Sequence, residues 1–430
     1  MDCPIQKNHT HNLHTFAEFH GFAAVHTDAI LRAGAHLSRR GRAAVPNDVL
    51  AWNATQSSEG VRSTNCSCNI RVGQTPPAGS GNVLPQSLIQ RDCLQHEGTH
   101  RYTQKMQEKF HRIENKYYLI LSVIGVPVNL LAIVILSRGK CGLSTCTTRY
   151  LVAMATADLL VIITEVILWR ISYYYLMESF LYVTPVCSVN VVLRHAVIDC
   201  SVWFTVTFTF DRFVIICCQK LKTKYCTKKT AAVVLATTCI LHCLKNIPFY
   251  FVYEPLMIID NVVWLCYPIP SYFTEPGWMG FNRFDKVLTP LLPFALILLL
   301  NALTVRHILM ASRVRKGLRG QSKGENHSDP EMESRRKSVI LLFTISGSFI
   351  LLWLVYVIHF LYYNITGTDP GDYSDFQYIF EHVGYPLRNL SCCTNTFIYG
   401  LTQSKFREQV KIAVKYPVTS IIQLMNKQNN

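Results

Sequence analysis

Seven apolar runs recur along the chain, at about 117–137, 150–174, 187–216, 230–253, 287–309, 338–362 and 376–400. Each reaches the roughly 20 residues that carry an α-helix across about 30 Å of hydrocarbon. A chain in lipid must satisfy its own backbone hydrogen bonds, and runs of this length are far too long for barrel strands, so helices are the spanning element. Composition agrees, since only 16% of residues are charged against about 25% in soluble chains. The expected fold is an all-α membrane protein, a bundle of seven transmembrane helices.

The loops predict its orientation. Segments 138–149, 213–229, 306–337 and 401–430 hold 22 Lys and Arg, whereas 175–186, 254–286 and 363–375 hold 2. Basic loops stay inside, so the N-terminus is expected outside and the C-terminus inside. The net charge of +15 then faces an anionic leaflet, and nucleic acid is not an expected partner, because the bases cluster between apolar runs. Residues 1–115 are polar and without trustworthy periodicity, and are expected to form an irregular extension. Met106 would serve as an alternative start, in which case 1–105 would be absent from the mature protein. Sequons at Asn8, Asn53, Asn65 and Asn364 fall on the outer side as glycosylation candidates. Cys66 and Cys68 form a lone CxC, a weak metal signal. No cofactor and no metal ligand set is expected within the spans.

Polar residues inside the runs carry the functional signal. An intramembrane carboxylate such as Asp158 is costly and is a functional candidate by default. Ser201, Ser391 and Asn395 offer oxygens at similar depth, a set suited to a sodium ion, with Asn129 as a further member. An interhelical hydrogen bond that only packs the bundle is the other reading, favoured for Asn129. Asp211 and Arg212 end the third run, where a charge reaches water; on position alone they are an interfacial anchor or a functional pair.

Asn129, Asp158, Cys187, Asp211-Arg212-Phe213, Pro293, Phe349-x-x-x-Trp353 and Asn395-x-x-x-Tyr399 place one landmark on nearly every helix. In this set and order the chain resembles the rhodopsin-like (class A) G-protein-coupled receptors over residues 117 to about 412. Stretches such as "DRFVIICCQKLKTKYC" further resemble an orphan subgroup of probable G-protein coupled receptors, that of number 139. The resemblance implies a plasma-membrane receptor that binds an extracellular small molecule or peptide and activates a heterotrimeric G protein, with the Gq class and an aromatic amino acid or short peptide ligand suggested by the subgroup. It implies that Asp211, Arg212, Phe213, Asn395 and Tyr399 act in coupling, and that Phe349 and Trp353 form an aromatic switch. It also implies a disulfide between Cys187 and Cys266 on the base-poor side, and an amphipathic helix along the inner leaflet at "SKFREQVK". The chain departs from the pattern at Val355 and Thr396, where prolines are usual, at Asn301 in place of Tyr, and at Arg335 in place of an acid.

Counted from Cys187, Arg194 and His195 lie at ligand depth, with His359, Glu381, Tyr385 and Arg388 in the outer halves of other helices. A ligand carboxylate would pair with Arg194 or Arg388. Internal ion pairs, Arg388–Asp199 or Arg194–Glu381, are the competing reading. A transporter, the alternative function, would show internal repeats, and an enzyme would show a nucleophile with a base or a metal set; the sequence displays neither.

Overall fold

A computed structural model describes residues 43–44, 86–176, 179–218, 220–221, 225–319, 330–366 and 374–415. Asn8, Asn53, Asn65 and the CxC lie outside the described residues, as do the tail beyond 415 and most of the extension. Helix α1 (Gln86–Ser137) starts well before the first apolar run, so the boundary expected at 115 falls inside it. It is followed by α2 (Thr145–Val161), α3 (Thr184–Cys217), α4 (Lys228–Asn246), α5 (Leu292–Arg319), α6 (Pro330–Thr366) and α7 (Asp375–Thr402). Among the described residues, six helices are long and apolar enough to cross a membrane; α7 is 28 residues long and packs along α6 and α1 to complete the bundle.

Helix ends follow local chemistry. Ser144 accepts the Thr147 backbone N–H at 3.2 Å to cap α2, and Thr227 accepts that of Thr230 at 3.1 Å to cap α4. A capping box of Ser374 and Gln377 starts α7. Burial separates centre from periphery: 61% of the apolar window of α3 is buried, against 17% for α4. Exposed Val123, Leu241 and Leu351 turn outward, as a lipid-facing surface requires. Gly384 lets α7 approach α6, since a Cβ there would stand 3.2 Å from the Tyr356 Cα.

Beyond Val161 the helix of α2 continues as a wider π-helical segment, Ile162–Ile171. A π turn brings residues five apart onto one face, and Arg170 there donates from Nε to Glu165 at 3.3 Å. Near the start of the α5 region, Thr289 leaves helical geometry between the helix Pro276–Lys286 and α5.

The long connection after α4 carries short strands: β2 (Tyr253–Glu254), β3 (Met257–Ile259), β4 (Val262–Trp264) and β5 (Tyr267–Pro268). A two-residue turn at Asp260-Asn261, both at positive φ, joins β3 to β4, and Asp and Asn tolerate that geometry. Strand β1 (Ala43–Ala44) pairs antiparallel with β3. The hairpin is tied to α3 by the Cys187–Cys266 disulfide, whose Cα atoms are 6.1 Å apart. Leu265 N–H also donates to Tyr182 O at 2.7 Å, and Thr184 Oγ1 to Leu265 O at 2.7 Å. Asn364 falls in the last turn of α6.

Helix 404–415 follows α7. Gln403 and Phe406 are buried while the intervening residues are exposed, the spacing of an amphipathic helix. Phe406 meets Tyr399 edge-on at 6.0 Å.

The disulfide closes a loop that the chain-entropy model values at about 4 kcal/mol for this length. Cys266→Ser and Cys187→Ser should lower the unfolding temperature of the purified protein equally, with the double variant no worse than either. Additive losses would show that the two thiols act separately.

Candidate functional site

Three polar centres lie along the bundle, one at the disulfide end, one at mid-depth and one at the Arg212 end. The first is a cavity of about 90 Å³ lined by α1, the π segment of α2, α3, α6, α7 and the stretch that holds Asp285, Lys286, Thr289 and Pro290. Behind its wall, and not itself a lining residue, Glu165 is fully buried on the π segment of α2 and binds the three lining arginines. The Glu165 carboxylate accepts from Arg170 at 3.3 Å, from Arg194 of α3 at 3.1 Å and from Arg388 of α7 at 3.1 Å. Three guanidinium groups thus converge on one carboxylate. Glu114 of α1 lies 3.9 Å from Arg170 and supplies a second acid.

Aromatic faces hold the other sides of these cations. Arg194 lies 4.3 Å above Trp169, and Arg388 lies 5.0 Å from the Tyr356 ring and 5.2 Å from that of Tyr385. Such contacts strengthen once water is excluded. His195 also lines the cavity and stacks on Phe249 at 4.1 Å. Glu381 and Tyr385 line it as expected, but His359 packs against Phe380 and is not among the lining residues.

The expected ion pairs are corrected here. Arg388 and Arg194 are bonded to Glu165, whereas Asp199 accepts from Lys245 at 2.6 Å and from Asn246 at 2.7 Å and also lies 3.6 Å from His242. Lys245 reaches Asp285 as well. Glu165 was missed although it carries the same signal as Asp158, an acid inside an apolar run.

At mid-depth, Asp158 accepts from Ser201 Oγ at 2.6 Å and from Asn395 Nδ2 at 2.8 Å. The other expected oxygens do not join them. Ser391 donates to Arg388 O at 2.6 Å and accepts from Trp353 Nε1 at 3.1 Å. Asn129 donates to Gly125 O and Cys392 O and accepts from Thr396 at 3.3 Å. Of the expected set, Ser201 and the Asn395 amide nitrogen are bonded to Asp158, while Ser391 and Asn129 hold other partners. Trp353 stacks on Phe349 at 5.1 Å, within a core cluster that also contains Val202, Val206 and Ile297.

At the far end, Asp211 and Arg212 are both buried rather than held at an interface. Arg212 donates to Asp211 from Nε at 3.1 Å and from its terminal nitrogen, and to Thr147 at 2.7 Å. Its remaining nitrogen reaches Ser338 of α6 at 3.5 Å. The thiol of Cys146 donates to Asp211 at 3.3 Å. Cys226, in the connection before α4, has its thiol held below the usual range, first by a hydrogen bond with Cys146. A cavity of about 430 Å³ opens beside Arg212, lined also by Arg335 and Lys337. Phe213 is half-buried, and Tyr399 is fully buried. Asn301 accepts from Ser346 at 3.0 Å and so links α5 to α6.

Residues 128–399 match the rhodopsin family of 7-transmembrane receptors, and the chain belongs to that family. It is therefore a multi-pass plasma-membrane protein of a receptor class. The neuropeptide CCHamide-1 receptor of Drosophila melanogaster is similar, 23% identical over 299 residues that cover 68% of this chain and 58% of the relative. The tachykinin-like peptides receptor 86C of the same fly is 25% identical over 280 residues, 63% of this chain and 52% of the relative. The matched regions thus span a little over half the length of those relatives.

Glu165→Gln leaves three buried guanidinium groups without their shared carboxylate. Breaking a buried ion pair from one side costs about 3–5 kcal/mol, so the variant should unfold at markedly lower temperature and reach the surface poorly. Unfolding of the purified variant at the wild-type temperature would show that the arginines do not depend on Glu165.

Proposed function

We propose that this protein is a G-protein-coupled receptor that binds an extracellular ligand in the Glu165 cavity and activates a heterotrimeric G protein at the Arg212 end. The observation that carries this reading is the Arg212 latch, a buried arginine paired to its neighbour Asp211 and tethered to α2 and α6 beside an open cavity. The 22 bases on the loops of that end support its placement in the cytosol. Release of Arg212 would turn a cation into the cavity where a G protein docks. A ligand shifts such a two-state bundle only as far as its affinities for the two states differ.

The three guanidinium groups in the cavity wall favour a ligand bearing a carboxylate, taken up in a bidentate pair by Arg194 or Arg388. Such a group would compete with Glu165, so ligand binding and the α2–α3–α7 tie are coupled. The names of the two fly relatives support a peptide, and the resemblance to the subgroup of receptor 139 supports an aromatic amino acid or short peptide and the Gq class. A carboxylate-bearing peptide terminus satisfies both the chemistry and the likeness.

Arg212→Ala should abolish guanine-nucleotide exchange per receptor reaching the surface, and the loss of a buried ion-pair partner should also lower surface expression. Exchange at the wild-type rate, at matched expression, would return Arg212 to a structural anchor. Substrate flux in vesicles without any exchange would support a transporter instead.

A further inference from the structure

Two histidines that are far apart in sequence meet at the rim of the cavity. His111 and Glu114 are three residues apart on α1 and so share a face, and His382 approaches from α7. One ligand atom from each of the three lies within 4.8 Å of the others. All three line the cavity. We propose that His111, Glu114 and His382 form a binding site for a divalent transition metal of the zinc type, bridging α1 to α7. The proposal is independent of the receptor's coupling partner.

The two imidazoles are oriented by one residue. His382 Nδ1–H donates to Tyr378 O at 3.0 Å, and Tyr378 stacks on the His382 ring at 4.0 Å. His111 Nε2 lies at hydrogen-bond distance, 3.0 Å, from the Tyr378 hydroxyl. With Nδ1 as the donor, His382 carries its lone pair on Nε2, and the His111 tautomer protonated at Nε2 carries its lone pair on Nδ1, the nitrogen nearer Glu114. Metal-bound histidines almost always have the other ring nitrogen held in this way. His111 Nδ1 lies 3.6 Å from Glu114 Oε2, and the Tyr174 hydroxyl lies 3.4 Å from the same nitrogen. Glu114 Oε1 is buried with no hydrogen-bond partner among the described residues.

Two imidazoles and a carboxylate suit zinc, which takes three protein ligands and leaves a fourth position open. Tetrahedral bonds of about 2.1 Å place ligand atoms about 3.4 Å apart, so atoms now within 4.8 Å of one another need close by at most about 1.4 Å. The neighbouring cation opposes binding, since Arg170 lies 3.9 Å from Glu114 Oε1. Arg170 also holds Glu165 at 3.3 Å, so surrender of Glu114 to a metal leaves it a carboxylate partner. The metal's fourth position then faces the cavity, where water or a ligand oxygen completes it.

The test is zinc titration of the full chain, without a polyhistidine tag, in nanodiscs, read by competition with a fluorescent zinc indicator. Wild type should take up zinc and unfold at higher temperature when loaded. H111A and H382A should each weaken that uptake at least tenfold. Cobalt in place of zinc should give ligand-field bands without thiolate charge transfer. A wild-type titration curve from the H111A/H382A double variant overturns the proposal. So does a cobalt spectrum dominated by thiolate charge transfer, which would assign the metal to Cys146 and Cys226 or to the cysteines of the extension. Should the histidine variants fail to fold, E114Q decides. Zinc binding at least tenfold weaker at unchanged unfolding temperature upholds the site, and unchanged zinc affinity overturns it.

Discussion

Hydrocarbon offers no hydrogen bonds, so every polar group inside a spanning bundle must find its partner on another helix or on its own backbone. Glu165 is where that constraint is most demanding. One buried carboxylate draws guanidinium groups from α2, α3 and α7 to a single point. The widened turn of α2 belongs to the same solution, because it brings Arg170 round to Glu165 five residues earlier. Aromatic rings then take the faces of the cations that carboxylates do not reach. The result is a cavity whose walls are held by the charges that line it.

A contiguous chain of contacts runs from that cavity to the opposite end, and α7 carries most of it. Arg388, Ser391, Asn395 and Tyr399 are spaced by three, four and four residues, which keeps them near one face of the helix. Arg388 binds Glu165, Ser391 accepts from Trp353, and Asn395 donates to Asp158. Tyr399 packs in the core with Phe208 and Leu341, beside Phe406 of the terminal helix. Any rotation of α7 driven by a change at Arg388 would therefore be felt at the aromatic pair, at Asp158 and at the Arg212 end. The missing proline after Asn395 leaves α7 continuous through this stretch, which suits a helix that moves as one piece.

Much of this was legible in advance because it depends on local pattern. Seven apolar runs, a gradient of bases across the loops and a handful of polar residues at set spacings are properties of the chain in one dimension. Asp158 meets Ser201 and Asn395, which lie at similar depth, and Phe349 on Trp353 and Cys187 with Cys266 meet as the resemblance implied. Asn129 bonds across to Cys392 and Thr396, the packing role favoured for it, while Ser391 is bonded to Arg388 O and Trp353, because residues on one helix can face different neighbours. His359 shows the same limit, since depth in the bilayer does not say which way a residue points.

The sequence by itself determined the spanning architecture, because hydrocarbon thickness sets helix length, and its motifs in order along the chain carried the resemblance to the receptor class. Tertiary structure alone decided which charges pair. Glu165 rather than Asp199 or Glu381 receives the arginines, Lys245 is drawn to Asp199 and Asp285, and His111 meets His382 across the rim. The physical reason is that an ion pair is fixed by a few ångströms of separation between helices, and that separation follows from how α1, α2, α3 and α7 rotate against one another, which no spacing along a single helix records.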